Sequence, residues 1–255
     1  MPEPLNDKVR AFWERGPVGT DWRITGAAEP RSPAWFQRVE DNRYANEPFI
    51  HAVAQFTRHR GKRLLEIGVG AGTDHLQWAR AGCFCHGVDL TQAAIETTRA
   101  HLALHGFSSE LRRIDAEALP FADGSFDLVW SWGVIHHSEN PDRIIAEIHR
   151  VLRPGGLFLG MLYNRRSLSV FAEWLKHGLL AGKPWRSFAD ILWHHFESVG
   201  TKAYTLREVD RLFAAFRRRS LATYMTPYDL QHWPPAIAAW MPQRWGMFIT
   251  IRAMK

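Results

Sequence analysis

The chain has 255 residues, 46% of them apolar and 23% charged, with 32 Lys and Arg against 26 Asp and Glu for a net charge of +6. That length suits one domain with an elaborated cap, and the apolar share supplies a substantial core, which excludes a disordered or fibrous chain. No apolar run reaches the ~18 residues of a membrane-spanning helix, and the N-terminal MPEPLNDKVR lacks the apolar core of a signal peptide, so the sequence reads as cytoplasmic and not integral to a membrane.

In chain order, FWERGPVGTDW at Phe12–Trp22 precedes a helical stretch predicted over Trp35–Phe56. The next segment, LLEIGVGAGTD at Leu64–Asp74, reads as a buried strand, a glycine turn and the start of a helix. Gly68, Gly70 and Gly72 carry no β-carbon, so the backbone can bend sharply and approach a ligand closely. A second apolar strand, Cys85–Val88, ends at Asp89, where a carboxylate can accept two hydrogen bonds from a ribose. This points to a nucleoside cofactor, either a dinucleotide or S-adenosylmethionine. The spacing G-x-G-x-G differs from the dinucleotide fingerprint G-x-G-x-x-G and suits a pyrophosphate less well. Cys83 and Cys85 stand two apart on one strand, a geometry that disfavours a bridge, and read as reduced thiols.

Further along, Ile114-Asp115-Ala116-Glu117 closes a third strand and SFDLVWSW at Ser125–Trp132 forms a fourth. VLRPGG at Val151–Gly156 turns into a fifth at Leu157–Leu162, after which residues 164–204 form an insertion. Thr205-Leu206-Arg207-Glu208 has the pattern of a capped helix start, and Val209–Phe216 is an amphipathic helix with Arg217, Arg218 and Arg219 expected as solvated residues at its C-terminus. Ser220–Tyr224 and Met247–Ala253 supply a sixth and a seventh strand.

Across roughly residues 60 to 162 these motifs, in this order, resemble the class I S-adenosylmethionine-dependent methyltransferases. The resemblance implies an α/β fold, a doubly wound seven-stranded Rossmann-like sheet of order 3-2-1-4-5-7-6 with the last strand antiparallel, and an N-terminal and post-strand-five helical cap. A single methyltransferase domain over 1–255 would then divide into a lid (1–56), a cofactor-binding core (57–163), a cap insertion (164–204) and a C-terminal helix with strands (205–255). It assigns S-adenosylmethionine as cofactor, with Glu66, Gly68, Gly70 and Gly72 along its methionine, Asp89 and Leu90 at the ribose, and Asp115 and Ala116 at the adenine. Ser131 and Trp132 would line the methyl-transfer site.

The reaction implied is in-line transfer of the sulfonium methyl to an O, N, C or S acceptor, aided by positioning and exclusion of water. A base is needed only where the acceptor carries a proton, and the candidates are His136, His137, His194 and His195. Trp13, Tyr163, Asn164, Glu197 and Tyr204 are expected to contact a small, partly apolar acceptor. Nine of the 12 tryptophans (Trp13, Trp22, Trp35, Trp174, Trp185, Trp193, Trp233, Trp240 and Trp245) fall in the flanking regions, suggesting an aromatic-walled pocket. Methyltransferases of planar amine and amide nitrogens carry Asn/Asp-Pro-Pro-Tyr/Phe after strand four, whereas SWGV stands here. The 13 histidines form neither a C-x-x-C array nor an H-E-x-x-H helix, so the sequence reads as metal-free.

Nucleic acid is not an expected partner, and Ser167–Leu180 offers at most weak contact with a membrane surface because its cationic face is sparse. Two rival readings stand beside the small-molecule enzyme: a lipid or RNA methyltransferase, and a non-catalytic cofactor-binding sensor or partner subunit.

Overall fold

The computed structural model describes residues 3–231, 233, 236 and 240–255; residues 1, 2, 232, 234, 235 and 237–239, which fall in the expected lid and C-terminal segments, lie outside the described residues. Ahead of the sheet come α1 (Leu5–Trp13), α2 (Trp22–Thr25), α3 (Pro33–Asn46) and α4 (Ile50–Ala54). The single helical stretch predicted over Trp35–Phe56 is thus two helices. Glu47 leaves helical geometry at ψ 55 because Pro48 follows it, and the proline ring crowds a helical residue before it.

Strands and helices then alternate: β1 (Arg63–Ile67), α5 (Thr73–Arg80), β2 (Phe84–Asp89), α6 (Gln92–Leu104), β3 (Glu110–Arg113), β4 (Phe126–Trp132), α7 (Pro141–Val151) and β5 (Leu152–Tyr163). The insertion carries α8 (Leu168–Trp174) and α9 (Phe188–His195), and the chain closes with α10 (Leu206–Leu212), β6 (Arg217–Tyr224), α11 (Pro227–Leu230) and β7 (Phe248–Met254). The sheet order is β3-β2-β1-β4-β5-β7-β6, with β1 to β5 parallel and β7 antiparallel to both β5 and β6, as the motifs implied.

Strand alternation divides the core between the two faces of the sheet. Leu65, Ile67, Val129 and Phe158 pack with Ile144, Ile148 and Phe213 on one face, whereas Leu64, Leu128, Trp130 and Leu159 pack with Trp78 and Ile50 on the other. Helix α7 shows why sequence dictates such packing: Pro141 opens it, and Ile144, Ile145, Ile148 and Val151 recur on one buried stripe.

Three local expectations are corrected. β6 begins at Arg217, so Arg217, Arg218 and Arg219 belong to a strand instead of a helix end. Helix α10 stops at Leu212 because Phe213 and Phe216 turn inward to the core. Arg219 then donates to Asp210 Oδ1 at 2.8 Å and to the Phe216 carbonyl at 2.6 Å, satisfying the turn. β5 likewise starts at Leu152, ahead of the predicted turn residues. Finally, Ser167–Leu180 is α8 followed by a π-helical turn at Leu175–Leu179, with Val170 and Gly178 buried and Leu180 exposed. No helix of the described residues is long and apolar enough to cross a membrane.

Candidate active site

A cavity of about 520 Å³ opens beyond the C-terminal ends of β1, β2 and β4. This is where the strand order reverses, since β1 is flanked by β2 on one side and β4 on the other, and the divergent loops leave a crevice. Glu66, Gly68, Gly70, Asp89, Leu90, Asp115, Ala116 and Trp132 all line it.

At Gly70, with φ +54, an added β-carbon would meet nothing nearer than Pro17 Cβ at 4.0 Å, so this backbone is bare toward the cavity. Gly72 does not line the cavity and its assignment to the cofactor is corrected. With φ +78, a β-carbon there would come within 3.0 Å of the Thr98 backbone, so this glycine serves the close approach of α5 to α6.

Asp89 is held at the end of β2 by hydrogen bonds. Its Oδ1 accepts from the Thr91 amide at 2.9 Å and hydroxyl at 2.8 Å, and its Oδ2 accepts from the Gly70 amide at 3.2 Å. Burial pushes the carboxyl above its usual range while these donors oppose the shift. The group is fixed and keeps lone pairs for a diol.

Glu66 faces a buried relay whose proton positions follow by elimination. The Ser109 hydroxyl donates to the Cys85 carbonyl at 2.8 Å, so it accepts from His75 Nε2 at 2.9 Å. Burial, then the nearby His86, push the His75 pKa down to about 3, so the ring is neutral and its Nδ1 is a lone pair. That lone pair lies 2.9 Å from Glu66 Oε2, and burial together with the Asp74 charge raises the Glu66 carboxyl well above its usual range. Glu66 therefore stands protonated and donates to His75, presenting a neutral acid to the cavity.

The N-terminal segment roofs this half. Asn6 Nδ2 donates to Asp115 Oδ2 at 2.9 Å and to Glu117 Oε1 at 2.8 Å, and Asn6 Oδ1 accepts from the Glu139 amide at 2.7 Å. Glu14, just past α1, accepts from the Gln92 and Ala93 amides at 3.1 and 2.9 Å, where a carboxylate suits the start of α6. Arg43 is the one Lys or Arg among the described residues lining the cavity, bonded to Asp74 at 2.7 Å and Glu47 at 2.9 Å. Glu47 also accepts from Trp132 Nε1 at 2.6 Å. Sequence reasoning missed Asn6, Glu14, Arg43 and Glu47, because each acts through a partner distant in sequence and none sits in a motif.

At the other end, His137, Tyr163 and Glu197 meet beside Trp13, Met161, Phe196 and Phe248. The Tyr163 hydroxyl donates to both Glu197 oxygens at 3.1 and 3.0 Å, and His137 Nε2 lies 3.3 Å from Glu197 Oε2. Burial and the Glu197 charge push the Tyr163 phenol well above its ordinary pKa, so it remains a donor. Aromatic and apolar side chains surround these three groups, with Glu47, Tyr228 and Gln231 also lining the cavity, and the trio can orient and deprotonate a hydroxyl.

Several expected site residues lie elsewhere. Ser131 is fully buried behind Trp132, since alternation along β4 turns one side chain to the cavity and its neighbour away. His136 is also fully buried, 3.8 Å ring to ring from Tyr163, and does not reach the cavity surface. His194 and His195 are exposed on α9, whose Ile191 and Leu192 form the buried face. His194 Nδ1 donates to the Asp190 carbonyl at 2.9 Å, and His195 accepts from Arg186 at 2.8 Å while stacking on His177. Neither approaches the cavity, so their reading as bases is withdrawn. Asn164 secures the chain instead, donating to the Gly246 carbonyl at 2.8 Å, and Tyr204 bridges to Asn164 and lines a separate depression. Of the nine flanking tryptophans, only Trp13 lines the main cavity among the described residues. Trp22, Trp185 and Trp240 are largely exposed, and Trp132, Tyr163, Phe196, Tyr228 and Phe248 provide the aromatic walls.

Residues 65–160 match the family described as methyltransferase domain. The chain is 33% identical over 194 residues to the phthiotriol/phenolphthiotriol dimycocerosates methyltransferase 1 of Mycobacterium ulcerans, covering 71% of this chain and 69% of that one. It is 34% identical over 128 residues to a ubiquinone biosynthesis O-methyltransferase of Sinorhizobium fredii, covering 47% of this chain and about half, 52%, of the relative. Among solved structures, geranyl diphosphate C-methyltransferase from Streptomyces coelicolor superposes with a TM-score of 0.63 at 16% identity, covering 99% of this chain and 98% of that one. The cyclase SpnF superposes with a TM-score of 0.64 at 20% identity, covering 100% and 98%. The bare Gly70 backbone, the fixed Asp89 carboxylate and the neutral Glu66 suit a sulfonium nucleoside. The chain belongs to the class I S-adenosylmethionine-dependent methyltransferases, and S-adenosylmethionine is its cofactor.

Proposed function

We propose that this enzyme methylates a hydroxyl oxygen of a small, partly apolar acceptor. The observation that carries the reading is the cluster of Glu197, Tyr163 and His137 set against the aromatic wall at one end of the cavity. S-adenosylmethionine, when bound, supplies an electrophilic methyl whose bond to sulfur breaks as the bond to the acceptor oxygen forms, the sulfur keeping the electron pair. The chain's residues do the rest. Asp89 and Asp115 hold the nucleoside, the α1 roof excludes water, and Phe196, Phe248 and Met161 seat the apolar body of the acceptor.

A hydroxyl placed at the cluster donates to the Glu197 carboxylate, which takes its proton. Tyr163, kept protonated, holds that carboxylate in place. Such proton transfer contributes ~100-fold to ~10,000-fold where the base is well positioned. Two relatives support the class: one is named a ubiquinone biosynthesis O-methyltransferase and the other a phthiotriol/phenolphthiotriol dimycocerosates methyltransferase.

The test is transfer of labelled methyl from S-adenosylmethionine to panels of phenols, aliphatic alcohols, thiols and amines. Turnover confined to hydroxyl acceptors and reduced in Glu197→Gln sustains the proposal. Turnover on amines or thiols with Glu197→Gln as active as wild type overturns it.

A further inference from the structure

His136 has no part in the hydroxyl reading, yet it is the most anomalous side chain near the site. It is fully buried, and neither ring nitrogen has a hydrogen-bond partner among the described residues. A buried imidazole with two unsatisfied nitrogens is costly, and such groups call for a partner.

The neighbouring side chains indicate what partner. His137 Nδ1 lies against two hydroxyls, Ser198 Oγ at 2.9 Å and Thr201 Oγ1 at 3.1 Å, and Thr201 donates its own proton to the Ser198 carbonyl at 2.6 Å. The two hydroxyls fix the ring so that Nε2 points at Glu197. Nε2 stands 3.3 Å from Glu197 Oε2. Glu197 is held there with a left-handed backbone, φ +52, unusual for a residue with a side chain. One nitrogen from each of His136 and His137 and one oxygen of Glu197 all lie within 4.8 Å of one another.

We propose that His136, His137 and Glu197 bind a divalent transition metal of the zinc class at the acceptor end of the cavity. Imidazole and carboxylate donors select such ions over calcium and magnesium, which favour oxygen alone. Ligand atoms ~2.1 Å from a tetrahedral ion stand ~3.4 Å apart, a separation the His137–Glu197 pair already has. Thr201, Ser198 and Tyr163 fix the ligand orientations from behind, as outer partners do in protein metal sites. The proposal rests on the hydroxyl reading for what the ion would do there: bind the acceptor oxygen and make its proton acidic, so that Glu197, a ligand through one oxygen, takes the proton on the other. The metal-free expectation from sequence came from looking for short local spacings, whereas Glu197 lies far along the chain from the histidine pair.

The full-length protein, freed of metal by chelator, is titrated with Zn²⁺ by calorimetry and with Co²⁺ by its visible absorption. One-to-one binding with Co²⁺ bands of low coordination number is expected. Glu197→Gln and His137→Asn should each weaken it by about tenfold or more, while affinity for S-adenosylhomocysteine, which reports an intact fold, stays within about twofold. Failure of wild type to bind either ion, or Glu197→Gln binding as tightly as wild type, overturns the site. The acceptor screen fails separately: a protein that binds Zn²⁺ but methylates no hydroxyl keeps the metal and loses the acceptor class. One that methylates a hydroxyl at full rate in chelator keeps the acceptor and loses the metal.

Discussion

The cofactor half and the acceptor half of the cavity are built on opposite principles. Around the cofactor, Gly70, Asp89, Glu66 and Asp115 sit at strand ends, within a few residues of the turn that places them, and their polar atoms are paired to nearby backbone or to a short relay. Around the acceptor, His137 follows β4, Tyr163 ends β5, Glu197 follows α9 and Trp13 ends α1, so four separate elements must dock before the site exists. Rigid strand ends give one binding geometry shared by a whole family. A site assembled from docked elements can change its acceptor without disturbing the sheet.

The largest effect that would sharpen this division is at Glu197. Glu197→Gln should lower kcat by about 100-fold or more with cofactor affinity unchanged, because the carboxylate serves only the acceptor; steady-state rates beside calorimetry with S-adenosylhomocysteine measure both. Asp89→Ala should do the converse, weakening cofactor binding by about 2 kcal/mol, ~30-fold, through loss of hydrogen bonds to a buried charged group. An equal loss of cofactor affinity in the two variants would break the comparison.

Smaller effects follow at the edges. Asn6→Ala removes the clasp on Asp115 and Glu117 and should weaken cofactor binding by about 1 kcal/mol, roughly fivefold. At α10, burial alone would raise the Glu208 carboxyl, but hydrogen bonds from Arg165 and Thr205 outweigh it and hold it down from 4.5 to about 2. Its folded pKa is therefore depressed, so its contribution is full above the unfolded pKa near 4.5 and fades as pH falls toward about 2. Being partly exposed, it is worth about 0.5 kcal/mol, and Glu208→Gln should melt below wild type at pH 7 with the gap closing in acid. His194→Ala and His195→Ala should change turnover and stability least, within about 0.5 kcal/mol, since both lie on the outer face of α9.

What was legible in the sequence follows the same division. The Leu64–Asp74 turn, the acid after Val88 and the paired motifs of β4 and β5 are local patterns, and the full strand order followed from their resemblance to a family. His194 and His195 misled because nearness to Glu197 in sequence says nothing about helix face: α9 ends at His195, the chain turns, and only Phe196 and Glu197 reach inward. Arg217 to Arg219 misled because the apolar spacing of Val209–Phe216 continues past the true helix end, where Phe213 and Phe216 fold into the core. Arg43 and Asn6 were invisible because their partners, Asp74 and Asp115, are contributed by distant segments.

Helix α1 spans both halves, with Asn6 clasping the acid beside the adenine end and Trp13 resting edge-on against His137, ring centroids 5.5 Å apart. A single nine-residue helix thus borders both ends of the cavity. If displacement of this one helix uncovers both ends, release of nucleoside and product is kinetically linked, and a first turnover should outrun those that follow.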